Sequence, residues 1–159
     1  MKRAIQIAIF AVAVAFLIPV AHAQKTSFTA TLSGANQVPA LKSRATGRAT
    51  FRLSKNGESL AYTLTVRNID EVTMAHIHMA AAGKNGPVAV WLYPTKSYPV
   101  KTGKFSGLLA RGTITAAQLG GPLKGQTIAD LVKEIRDGDA YVNVHTKAHP
   151  GGEIRGQIH

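Results

Sequence analysis

Apolar and polar residues alternate along most of this 159-residue sequence, in short runs separated by glycine, proline and asparagine. In residues 27–33, for example, Phe28, Ala30 and Leu32 alternate with serine and threonine. A period of two places successive side chains on opposite faces of a strand, so each run predicts a strand with one buried face. Asn56-Gly57 predicts a hairpin with a type I′ turn between two of the runs. The predicted strands are 27–33, 45–53, 59–66, 72–79, 88–93, 107–113, 140–146 and 153–158.

One segment has the period of a helix instead. Its apolar residues recur at the spacing of one helix face, as Ile128, Leu131, Val132 and Ile135. Thr127 and Asp130 are spaced for a capping-box-like start, and Gly138 is placed to end the helix. The residues therefore predict an all-β fold, an antiparallel sandwich or barrel of about eight strands, with one short helix before the penultimate strand.

The N-terminal segment has the features of an export signal. Lys2 and Arg3 precede an apolar stretch over residues 4–20, and Ala21-His22-Ala23 supplies small residues at the two positions that a signal peptidase reads. We expect a signal peptide over residues 1–23 and a mature domain over residues 24–159, with an uncleaved membrane anchor as the alternative. The mature chain would be secreted, either periplasmic or extracellular, with no stable membrane span.

The composition excludes several classes of chemistry. The chain has no cysteine, which rules out disulfides, thiolate zinc sites, cysteine-bound iron–sulfur clusters and a cysteine nucleophile. Without the predicted signal peptide, 17 basic residues stand against 8 acidic ones, and the basic residues are scattered singly. That scatter indicates a basic surface near anionic envelope components and argues against nucleic-acid binding. No nucleophile elbow or phosphate-binding loop occurs, so a hydrolase is not expected.

Four histidines carry the remaining chemistry. His76 and His78 stand two apart on a predicted strand and project from one face. His145 lies on another predicted strand, opposite the apolar valines, and His149 follows at the strand end. Imidazoles without thiolates suit copper(II) or zinc, with copper favoured at a nitrogen site. In the alternative interpretation, each histidine is a hydrogen-bonded or exposed residue of a polar strand face.

Four segments carry a family resemblance: residues 27–39 (SFTATLSGANQVP), 75–78 (AHIH), 139–146 (DAYVNVHT) and 150–158 (PGGEIRGQI). Together they resemble a CHRD domain, the repeat first named in chordin. The resemblance implies a Greek-key β-sandwich, a fold found as repeats in animal chordin and as single exported domains in many bacteria. The chain differs from the family's common pattern at Gln37, where glutamate is frequent, and at His149, where asparagine is frequent.

The strand over residues 75–79 also resembles, less closely, the H-x-H strand of Cu/Zn superoxide dismutase. That family is a Greek-key barrel in which histidines hold copper. This chain lacks the family's disulfide cysteines, and no histidine-rich zinc loop with its aspartate lies between His78 and His145. Arg155 is comparable only loosely to the arginine that steers superoxide.

Three polar residues stand near the predicted ligands and are assigned supporting roles. Asn143 shares a strand face with His145. Glu153 and Arg155 are two apart on the last predicted strand, so they share a face as well. In one interpretation Glu153 fixes the tautomer of a histidine. In the other, Glu153 and Arg155 form a cross-strand ion pair that holds the strand in register.

These observations leave three hypotheses of different classes. The favoured one is an exported binding module that holds copper, or alternatively zinc, through His76, His78, His145 and His149. The second is a structural or interaction domain that binds an envelope or extracellular protein or polymer. The third is a copper oxidoreductase of the dismutase type. A binding module is expected ahead of an enzyme.

Overall fold

The computed structural model describes residues 24–159, so the predicted signal peptide lies outside the described residues. The strands are β1 (Ser27–Ser33), β2 (Thr46–Leu53), β3 (Ser59–Asp70), β4 (Val72–Met79), β5 (Val88–Tyr93), β6 (Lys104–Thr115), β7 (Ala140–Thr146) and β8 (Ile154–Gln157). The α-helix is α1 (Ile128–Asp137), and short 3-10 turns cover Gly34–Asn36, Ala116–Gln118 and Gly121–Leu123. The predicted all-β fold, with one α-helix before the penultimate strand, is confirmed.

All eight strands join one antiparallel sheet in the order β5-β4-β7-β8-β1-β2-β3-β6. The sheet curls until its edge strands, β5 and β6, approach each other in a nearly closed barrel. Across this seam, the Tyr62 hydroxyl of β3 donates a hydrogen bond to the Leu92 carbonyl of β5 at 2.8 Å. The alternation of apolar and polar residues was compatible with a sandwich or a barrel, and the structure is a nearly closed barrel.

The hairpin between β2 and β3 is confirmed, but its predicted turn type is wrong. A type I′ turn needs positive φ at both central residues, whereas Gly57 (φ 75°) is the only residue of loop 54–58 in the left-handed region. The Gly57 amide instead donates to the Ser54 carbonyl at 3.0 Å. The Asn56 side chain accepts hydrogen bonds from the Ser54 hydroxyl and the Glu58 amide. These side-chain bonds stabilise a longer loop than the dipeptide alone predicts.

Helix α1 begins and ends where the sequence predicts. The Thr127 hydroxyl accepts a hydrogen bond from the Asp130 amide, and the Asp130 carboxylate accepts one from the Thr127 amide, which completes a capping box. Gly138 ends the helix in the left-handed conformation, with φ 83°. The apolar face packs into the core through Ile128, Leu131, Val132 and Ile135. No helix within residues 24–159 is long and apolar enough to cross a membrane.

Neighbouring strands β4 and β7 have two chemically different faces. Ala75 and Ile77 of β4 and Val144 of β7 are completely buried in the hydrophobic core. The residues that alternate with them project from the opposite face of the sheet, and these include His76 and His78. They are nevertheless buried, so this polar face is covered by other parts of the chain.

Candidate metal centre

Strand pairing brings three of the predicted ligands to one face of the sheet. In the β4–β7 pair, His76 lies opposite Asn143 and His78 lies opposite Tyr141. His145 is two residues beyond Asn143, so it projects from the same face of β7. Its imidazole therefore reaches His76 diagonally across the strand pair.

The three imidazoles of His76, His78 and His145 form a compact buried group, called here the histidine cluster. One nitrogen from each ring lies within 4.8 Å of the other two. His76 Nδ1 and His145 Nε2 are 3.3 Å apart, close enough to hydrogen-bond to each other when no ion lies between them. A tetrahedral ion with metal–nitrogen bonds of 2.0–2.1 Å separates its ligand atoms by about 3.3 to 3.4 Å. The spacing of this pair suits two ligands of one ion.

Two of the rings are oriented by backbone carbonyls. His78 Nδ1 lies 2.9 Å from the Gly86 carbonyl oxygen, and His145 Nδ1 lies 2.9 Å from the Pro150 carbonyl oxygen. A carbonyl only accepts, so each Nδ1 carries the proton and donates, which leaves a lone pair on each Nε2. Metal-binding histidines are commonly held in this way. Neither Gly86 nor Pro150 was identified from the sequence, because each acts through its backbone.

The cluster also contains polar atoms that the protein leaves unsatisfied. His76 Nε2 and His78 Nε2 are buried and have no hydrogen-bond partner within residues 24–159. A buried nitrogen without a partner typically lowers stability by about 1 to 3 kcal/mol. A metal ion bound through His76 Nδ1 and His145 Nε2 would also use the lone pair of His78 Nε2, while His76 Nε2 would carry the proton of its ring. The donor set and the unsatisfied His78 nitrogen therefore fit a metal site.

Burial keeps the three imidazoles neutral. It lowers the pKa of His76 to about 4, with smaller contributions from His145 and His78. Burial also lowers the pKa values of His78 and His145, although the carbonyl bond to each ring opposes the shift. Neutral imidazole is the form that binds metals, so at neutral pH these histidines need not lose a proton first.

We expect the metal-free protein to lose stability as pH falls from 6.5 towards 4. The pKa of His76 is 6.5 in the unfolded chain and about 4 in the folded protein, so the unfolded state binds more protons across this window. The stabilisation is fully present above pH 6.5, and for His76 its complete loss amounts to at most about 3 kcal/mol. Urea unfolding at pH 7.5, 6, 5 and 4.5 measures the trend. A His76→Phe variant should show a shallower decline; identical slopes would contradict this explanation.

Two aromatic rings enclose the cluster. Trp91, the sole tryptophan of the chain, lies on β5 with its ring 4.3 Å from that of His76, centroid to centroid. Tyr141 stacks on His78 at 5.0 Å with an angle of 10° between the rings. Trp91 is 52% exposed, so the cluster lies just beneath the protein surface on the β5 side. Sequence reasoning missed Trp91, because only the β4–β5 register places it beside His76.

The expected ion pair between Glu153 and Arg155 is wrong. The Glu153 carboxylate accepts hydrogen bonds from the Ser43 hydroxyl at 2.7 Å and the Thr146 hydroxyl at 2.8 Å. Glu153 precedes β8 and lies in the turn after β7. Its bond to Thr146 ties this turn to the end of β7, so Glu153 supports the segment beside His145 and does not contact an imidazole.

Arg155 lies behind the cluster, and only 2% of it is exposed. Its guanidinium carbon is 3.4 Å from the centroid of the Tyr141 ring, whose other neighbour in the stack is His78. Nη1 donates to the Asn85 side chain at 3.1 Å and Nη2 donates to the Lys84 carbonyl at 2.7 Å. An arginine that steers superoxide would have to face solvent, and a guanidinium held in this way does not.

Asn143 connects the cluster to two loops. Its Oδ1 accepts a hydrogen bond from Gln37 Nε2 at 2.7 Å, and its Nδ2 donates to the Gly151 carbonyl at 3.4 Å. The second bond holds the turn whose Pro150 carbonyl orients His145. Asn143 therefore connects to the segment beside His145 through the backbone of the turn.

His149, the fourth predicted ligand, does not belong to the cluster. It is half-buried in the turn after β7, where its carbonyl accepts hydrogen bonds from the amides of Thr146 and Gly152. The sequence spacing places His149 near the end of β7, and the turn directs the chain so that the Pro150 carbonyl, one residue later, meets His145.

Comparison with known proteins identifies one family. The family model of the CHRD domain matches residues 28–158, a range that contains the entire histidine cluster and both loops that hold it. No curated protein and no solved structure matches the chain.

Proposed function

This chain belongs to the CHRD domain family, and we propose that it is an exported module that binds copper through His76, His78 and His145. Zinc is the alternative metal. Three neutral nitrogen ligands accept either ion, and copper binds more tightly than zinc at a given nitrogen site. The signal-peptide features of residues 1–23 support export, which N-terminal sequencing of the protein recovered from the periplasm or medium would check.

The observation that carries this proposal is the fixed orientation of two imidazoles within the cluster. The carbonyls of Gly86 and Pro150 hold the protons of His78 and His145 on Nδ1, so each Nε2 presents a lone pair. The lone pair of His145 faces His76 Nδ1 at 3.3 Å. A purely structural role would place a hydrogen-bond donor against the lone pair of His78 as well, yet His78 Nε2 is buried without a partner in the described part of the chain. The arrangement suits a positively charged ligand.

The experiment is a titration of the purified, metal-free protein with copper and, separately, with zinc. We expect one equivalent to bind, with Trp91 fluorescence quenched by copper because its ring is 4.3 Å from that of His76. Replacing His145→Ala removes one ligand and should weaken copper binding by about 10- to 100-fold or more. Isothermal calorimetry measures the affinity independently of the fluorescence.

The matched control is His149→Ala, which removes a histidine outside the cluster from the same turn region. It should bind copper within about threefold of the unmodified protein. Equal affinity in His145→Ala and the unmodified protein would refute the proposed site. Superoxide turnover by the copper-loaded protein would favour an oxidoreductase over a carrier or buffer.

A further inference from the structure

A methionine, Met74, is paired with a histidine of the cluster in the sheet. The register of β4 against β7 is continuous from Met74 to Met79, with Met74 opposite His145 and His76 opposite Asn143. Met74 and His76 are two apart on the same strand, so they project from the same face of the sheet. Met74 is half-buried and therefore belongs to the rim of the cluster.

The side chain of Met74 is long enough to reach an ion in the cluster. Directly opposed residues of an antiparallel pair have their Cβ atoms about 4.5 to 5.5 Å apart, which places Met74 next to His145. Methionine has three rotatable side-chain bonds and adapts to irregular space. His145, the residue opposite Met74, has its Nε2 3.3 Å from His76 Nδ1.

The charges around the cluster favour an ion of low charge. The cluster contains three neutral imidazoles and no carboxylate among the described residues, while Glu153 is engaged by Ser43 and Thr146. The buried cation that lies nearby is the guanidinium of Arg155, separated from His78 by the Tyr141 ring. Burying a divalent ion without an anionic ligand is more costly than burying a monovalent one, because the solvation energy grows with the square of the charge.

We infer that Met74 is a fourth ligand and that the cluster is a site for Cu(I), which it binds in preference to Cu(II) and zinc. Thioether and imidazole ligands are neutral and together suit cuprous copper, since soft sulfur ligands select Cu(I). Trp91 lies against the ring of His76, with 4.3 Å between the ring centroids. This inference rests on the proposed copper-binding function and specifies its oxidation state and its fourth ligand.

The test compares Met74→Leu with Met79→Leu in the full protein. Met79 ends the same strand, is also half-buried and packs against the hydrophobic core. Affinity for Cu(I) is measured without oxygen, by competition with bicinchoninate. We expect Met74→Leu to weaken Cu(I) binding by about tenfold or more and to change zinc affinity by less than about threefold. Met79→Leu should leave both affinities unchanged.

X-ray absorption spectroscopy detects the bond between copper and Met74 directly, in a protein that keeps all four proposed ligands. When the protein is produced with selenomethionine, the Cu(I)-loaded form should show a copper–selenium distance that is lost in Met74→Leu. If that signal is absent and Met74→Leu binds Cu(I) normally while His145→Ala does not, the fourth ligand is refuted and the histidine site stands. If the unmodified protein binds no copper in either oxidation state, both the inference and the proposed function fail.

Discussion

Replacing His76 and His78 together by alanine is expected to reduce copper affinity by at least about a thousandfold, because a single imidazole of the cluster remains. The double variant should also lose the stabilisation that copper gives to the folded protein. A ligand at 100 to 1,000 times its dissociation constant raises the free energy of unfolding by about 2.7 to 4.1 kcal/mol when it binds only the folded protein. Urea unfolding with and without copper should show this increment in the unmodified protein and not in the double variant.

A second double variant, His149→Ala with His159→Ala, is the matched control. It removes the same number of histidines, and neither lies in the cluster. Copper should stabilise this control as it stabilises the unmodified protein. Unfolding of both variants without metal separates loss of the site from loss of the fold, since His78→Ala also leaves the Gly86 carbonyl without its donor. Copper-dependent stabilisation that persists without His76 and His78 would contradict the assignment.

Gly152→Ala is expected to lower the free energy of unfolding by about 3 kcal/mol or more. Gly152 has φ 120°, which side-chain-bearing residues rarely adopt. A Cβ atom there would lie 2.4 Å from both the Oδ1 and the Nδ2 of Asn143. Asn143 would have to move, so its bond to Gln37 would break and the turn that carries Pro150 would shift. Copper affinity should therefore fall together with stability.

Gly151→Ala tests whether the loss of stability is specific to position 152. Gly151 is the adjacent residue, its φ is not positive, and a Cβ atom there would meet nothing within 4 Å. We expect Gly151→Ala to change the unfolding free energy by no more than about 0.5 kcal/mol, as surface substitutions usually do. Urea unfolding and copper titration of the two variants give the comparison. Equal losses of stability would show that the collision with Asn143 is not the cause.

The strand and helix positions could be predicted because their signals are local. Alternation in β1 and the capping box of Thr127 and Asp130 depend on residues within a few positions of each other, and both are confirmed. The type I′ turn at Asn56-Gly57 failed because the side chains of Ser54 and Asn56 hydrogen-bond within a longer loop. The predicted ion pair between Glu153 and Arg155 is wrong because each side chain hydrogen-bonds to a different loop, Glu153 to Ser43 and Arg155 to the Lys84 carbonyl.

The sequence alone determined that His76 and His78 share a strand face and that His145 lies on the polar face of another strand, since strand periodicity is a property of the backbone. Only the tertiary structure decided that β4 and β7 are neighbours, which unites these histidines and excludes His149. It also supplied the Gly86 and Pro150 carbonyls, which orient two rings through backbone atoms that every residue possesses. A contact made by backbone atoms across the fold has no residue-type signal, so the metal-binding geometry could not be derived from the sequence.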